Sequence, residues 1–114
     1  MTQPVLIKVY GAFSPASEKL RLGLGKICGQ AIGTHTEGMP VSLSGNWLAI
    51  SFEGVWFPVD DLQAFLEKYA ESPLRGKIDF LDLENWRLTR LEFADGRLRK
   101  SSAPLNNVLD YSGF

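Results

Sequence analysis

The chain has 114 residues, 45% hydrophobic and 22% charged, with a formal net charge of −1. These values fit one globular domain and exclude wholesale disorder and a strongly basic nucleic-acid binder, leaving room for a local basic patch. One cysteine and one histidine exclude a disulfide framework and leave a His/Cys metal site short of ligands.

No segment approaches the ~20 uninterrupted apolar residues of a membrane helix. The start, Met1-Thr2-Gln3-Pro4, lacks a basic region, and Lys8 breaks the apolar run 5–7, so no signal peptide is expected. With Cys28 read as a reduced thiol, the expected compartment is the cytoplasm, and the expected source is prokaryotic.

In chain order, Val5, Ile7 and Val9 alternate with Leu6, Lys8 and Tyr10, which predicts a strand ended by Gly11. Ser14-Pro15 marks a turn. Residues 18–28 carry two patterns. Leu20, Leu22 and Leu24 alternate as in a strand, whereas Leu20, Leu24, Ile27, Cys28 and Ala31 fit a helical stripe, with Ser14 as N-cap and Pro15 at N1. Gly23, Gly25 and Gly29 would each cost about 1 kcal/mol inside a helix, so the strand reading is preferred. Residues 29–40 show little hydrophobic pattern and read as a loop.

Segments 41–44 and 47–53 flank Gly45-Asn46, a two-residue hairpin signal. Gly54 then sets off the short apolar run 55–57. Leu62, Phe65, Leu66 and Tyr69 recur at helical spacing behind Asp60 as N-cap, predicting a helix over 60–70. Strands are expected over 77–84, 86–94 and 97–101. Asp95-Gly96 joins the last two, pairing Ala94 with Arg97, Phe93 with Leu98, and Glu92 with Arg99 as an ion pair. Pro104 ends the last strand, and residues 106–111 suggest a short helical turn before a tail.

The predicted architecture is therefore α+β: one domain spanning 1–114, a twisted antiparallel sheet of about five to six strands with one main helix packed on one face, in the order β-β-β-β-α-β-β-β.

Chemical motifs are sparse. The glycines at 23, 25 and 29 give GxGxxxG, one residue too long for a dinucleotide fingerprint, and no Ser or Thr follows Lys26 as a P-loop requires. Cys28, His35 and Glu37 form a nominal nucleophile, base and orienting group, but such sets are spatial and Cys28 sits on an apolar parity. Asp79, Asp82 and Glu84 lie close in sequence, and balancing Arg87 and Arg90 explains them better than paired-carboxylate chemistry. No catalytic set, metal site or cofactor is expected.

Two binding signals remain. Trp47, Trp56 and Trp86 exceed what a small two-layer core needs and suggest an aromatic protein-interaction surface. Arg87, Arg90, Arg97, Arg99 and Lys100 concentrate in the C-terminal hairpin, as on a nucleic-acid surface or a charge-protected sheet edge. The leading expectation is a non-enzymatic accessory or regulatory protein that holds a protein partner or a second copy, with no membrane contact. Nucleic-acid binding through the hairpin is one alternative. Small-molecule binding or catalysis with loop 29–40 as a lid, using His35 and Glu37, is another.

Overall fold

The computed structural model describes residues 5–33, 41–68 and 73–105. Its elements run β1 (Ile7–Ser14), α1 (Glu18–Cys28), β2 (Ile32–Gly33), β3 (Val41–Ser44), β4 (Trp47–Trp56), α2 (Val59–Glu67), β5 (Arg75–Asp82), β6 (Arg87–Ala94) and β7 (Arg97–Pro104). The seven strands form one antiparallel sheet in the order β2-β4-β1-β5-β6-β7, with β3 also paired to β4. The α+β class with an antiparallel sheet holds, but the described residues contain two helices.

The second helix, α1, replaces the strand expected over 18–28. Ser17 caps it, its hydroxyl accepting from the Leu20 N–H at 3.1 Å. Leu20, Leu24 and Cys28 are buried, while Leu22 is 57% exposed. The period-2 pattern was thus a coincidence of one solvent-facing leucine. Gly23 has a packing role: a Cβ there would run into the Phe65 ring of α2. The glycine that weakens the helix locally lets the two helices touch.

Two other glycines expected to end strands lie inside them. Gly11 continues β1, because a Cβ would meet the Ile78 Cα and Cβ at 2.7 Å and force β5 away. Gly54 continues β4, where a Cβ would strike the Ile32 carbonyl oxygen. The segments expected over 47–53 and 55–57 therefore merge into one strand ending at Trp56.

The hairpin at Asp95-Gly96 has the anticipated register, Ala94↔Arg97, Phe93↔Leu98 and Glu92↔Arg99. Positive φ at both turn residues, 54° and 74°, suits the right-handed strand twist. Helix α2 starts after Pro58, which supplies no side-chain cap. Asp60, expected as N-cap, instead lies in the first turn with Asp61, where acidic groups complement the helix dipole. Tyr69, Ala70 and the helical turn expected over 106–111 lie outside the described residues.

Both helices pack on the same face of the sheet. Leu20, Leu24, Cys28, Leu62 and Leu66 join Val9, Phe13, Leu48, Ile50, Phe52, Ile78, Phe80, Leu91 and Phe93 in one core cluster. The strand members are cross-strand neighbours, such as Val9↔Phe52, Val9↔Phe80 and Ile78↔Leu91, so they share a side. Neither described helix covers the opposite face.

Candidate binding face

Residues alternate sides along each strand, so the register defines that opposite face. Lys8, Tyr10 and Ala12 come from β1, Trp47, Ala49, Ser51 and Glu53 from β4, and Arg75, Lys77, Asp79 and Leu81 from β5. Strand β6 adds Leu88, Arg90, Glu92 and Ala94, and β7 adds Arg97 and Arg99. Six of these side chains are basic and three acidic, on a chain whose overall charge is −1.

The charges are not evenly used. Toward the Lys8 end they are consumed by one another. Tyr10 donates its hydroxyl to Glu53 Oε1 at 2.6 Å, and Lys8 Nζ lies 3.6 Å from the same oxygen. The bond to Glu53, helped by burial and the carboxylate's charge, pushes the Tyr10 pKa up to about 12. Arg90 grips Asp79 with two parallel bonds, Nε to Oδ1 at 2.6 Å and Nη2 to Oδ2 at 2.9 Å. Leu88, only 3% exposed, and half-buried Leu81 form an apolar patch at this end, outside the main core.

Toward the Trp47 end the charges form no ion pair among the described residues. The Arg75 guanidinium stands 5.7 Å from the centre of the Trp47 ring, a cation–π contact. Lys77 and Arg99 both face Glu92, one on each neighbouring strand. Yet neither forms an ion pair with it within 4 Å, so the expected Glu92–Arg99 bridge exists only as register. Exposed long side chains gain little from such closure.

Alongside the indole runs a groove of about 660 Å³ whose lining cations are Arg75 and Lys77, joined by Tyr10, Ala12, Trp47, Asp79, Glu92 and Ala94, with Gly11, Gly76 and Phe93. Small residues make its floor. Gly76 has φ of +138°, and a Cβ there would collide with the Ala12 carbonyl oxygen, so this glycine lets β1 and β5 close under the groove. Trp47 is 40% and Tyr10 39% exposed in its walls.

The sequence-selected residues are dispersed by the fold. Trp47 and Trp56 occupy opposite ends of β4, roughly 30 Å apart at strand rise. Trp56 lies near the start of α2, beside Phe57, Pro58 and Val59. Trp86 stands in the β5–β6 turn with left-handed backbone, φ 55°, its carbonyl accepting from the Leu105 N–H. The three tryptophans therefore do not form one aromatic patch.

The hairpin cations also divide. Arg90, Arg97 and Arg99 belong to the face opposite the helices, whereas Arg87 and Lys100 are on the helix side. Arg87 donates to Ser102 Oγ at 3.2 Å, and Lys100 lies by Asp60, Gln63 and Glu67 of α2. The single basic hairpin surface is thus replaced by one spread over β5 and β7, including Arg75 and Lys77, which sequence spacing did not single out.

His35 and Glu37 lie outside the described residues. Cys28 is buried, and burial pushes its thiol up to about 11, far from a reactive thiolate at neutral pH. Asp82 is bound into its turn: burial pushes its carboxyl up, but bonds from the Asn85 side chain, the Asn85 N–H and the Glu84 N–H outweigh that and hold it low. Among the described residues no group of three or more His, Cys, Asp or Glu is placed to hold a metal, and no helix is long and apolar enough to cross a membrane. No protein-family model, curated protein or solved structure matches the chain.

Proposed function

We propose that the protein is a non-enzymatic binding module, an accessory or regulatory protein of the cytoplasm, whose partner occupies the Trp47 end of the sheet face opposite the two helices. The observation that carries this reading is a groove with an exposed indole and cations that have no ionic partner among the described residues. Exposed aromatic and arginine side chains over a small-residue floor are what a contact surface needs. The groups suited to proton transfer support the same reading, because Tyr10, Glu53, Asp79 and Asp82 are engaged in structural hydrogen bonds.

The test is affinity capture from the native source, run in parallel with wild type and the Trp47→Ala/Arg75→Ala pair, together with light scattering for self-association. Both side chains are solvent-facing, so the double variant should fold, as far-UV circular dichroism will verify. The expected result is a partner, or a dimer, that the double variant loses. A folded double variant that retains every wild-type association overturns the reading.

A further inference from the structure

We infer that the occupant of this half-face is single-stranded nucleic acid, with phosphates on Arg75, Lys77, Arg97 and Arg99 and a base stacked at Trp47. The inference rests on the reading of this face as a binding site and names its partner. Arg75 and Lys77 are two residues apart on β5, as Arg97 and Arg99 are on β7, and one strand, β6, separates the pairs. At ordinary sheet spacing the four cations outline a rectangle roughly 7 Å by 10 Å. Inside it stand Ala94, which adds no charge, and Glu92, the one acid. The excess is positive where the chain as a whole is slightly acidic, so charge complementarity selects a polyanion.

The shape selects among polyanions. A concave trough with an indole in its wall accepts unstacked bases, which a duplex hides. An acidic peptide laid across the same trough would find few partners for its main chain, since the sheet's own N–H and C=O groups here are used in the ladders. Phosphates and base faces ask for no such partners. Arg75 over Trp47 adds a second flat surface against which a base can stack. RNA and DNA single strands share this chemistry, and only contacts to the 2′-hydroxyl would separate them.

Fluorescence anisotropy with labelled 12-mers of oligo-dT and oligo-U, a 12-residue poly-glutamate peptide and a hairpin duplex, at about 50 mM salt, tests the assignment. Both single strands are expected to bind, and the peptide and duplex to bind at least tenfold more weakly. With four phosphate contacts at about 0.7 released ions each, affinity should fall about fiftyfold between 50 and 200 mM salt. The Arg97→Ala/Arg99→Ala pair should halve the slope of that dependence. Trp47→Ala should weaken binding about tenfold, with Trp47→Phe recovering part of it. Glu92→Gln should tighten binding, a gain that misfolding cannot imitate.

No binding of either oligonucleotide at 50 mM salt, or binding indifferent to Arg97 and Arg99, overturns the nucleic-acid assignment. If poly-glutamate binds instead and Trp47→Ala abolishes it, the face stands as a binding site and only its partner is wrong. If nothing binds and the capture experiment also shows no dependence on Trp47 and Arg75, both readings fall. A preference for oligo-U over oligo-dT supports RNA as the source, and equal binding supports recognition of the shared chemistry.

Discussion

The two halves of the face opposite the helices are built on the same central strands and differ in how their charges are satisfied. At the Lys8 end, Tyr10, Glu53, Lys8, Asp79 and Arg90 bind one another and the charges cancel. At the Trp47 end, Lys77, Arg97 and Arg99 sit around a single carboxylate without closing on it. A half-buried pair such as Asp79–Arg90 gains from low dielectric and bidentate geometry, whereas fully exposed pairs pay side-chain entropy for little Coulomb energy. The lesson is that charged groups on one surface separate into those that stabilise the fold and those left for a partner.

Substitutions sharpen the contrast. The largest effect is expected at Gly76→Ala, which places a methyl against the Ala12 carbonyl at positive φ. It should cost about 3 kcal/mol or more in urea melts and spoil the groove floor. Arg90→Ala should cost about 2 kcal/mol, because it leaves the partly buried Asp79 carboxylate without its two bonds. By contrast, Arg97→Ala and Arg99→Ala should each change stability by less than about 0.5 kcal/mol. An equal cost at all three arginines would erase the division between the halves.

Protonation gives a finer probe. Tyr10 stays neutral to higher pH in the folded chain than when unfolded, so its contribution to stability is complete below about pH 10. It is lost as pH rises toward about 12. Phenolate absorbance, with Tyr69 and Tyr111 replaced by Phe, should show a midpoint near 12 that falls toward 10 in Glu53→Gln. A midpoint unmoved by that change would show that the paired half is not organised by Glu53. The smallest effect concerns Asp82, whose carboxyl is held low. Its stabilisation is present above the ordinary aspartate range and fades as pH falls through the depressed value. Wild type and Asp82→Ala should therefore differ in urea midpoint near pH 7 and converge in strong acid.

Local signals were the legible part of the fold. Asp95-Gly96 between alternating segments fixed a hairpin to the residue, and the stripe Leu62, Phe65, Leu66 located α2. What misled was glycine. At Gly11, Gly23 and Gly54 it answers a neighbour that arrives from elsewhere in the chain, so Gly11 and Gly54 taken as stops shorten β1 and β4, and Gly23 counted against a helix hides α1. The site was legible in part for the same reason. Trp47, Arg97 and Arg99 stood out by type, but Tyr10, Arg75 and Lys77 join them only through a strand order that no short-range pattern encodes.

That strand order has a consequence for how the chain is made. The first strand, β1, lies near the centre of the sheet, hydrogen-bonded to β4 on one side and β5 on the other. Its pairings reach from Ile7 to Gly54 and from Ile7 to Asp82. Early in synthesis β1 therefore has neither neighbour: one edge waits for β4, paired as far as Gly54, and the other for β5, paired as far as Asp82. Closure of such long loops precedes any reward from pairing, which makes this sheet slower to assemble than one built by adding neighbouring hairpins in order.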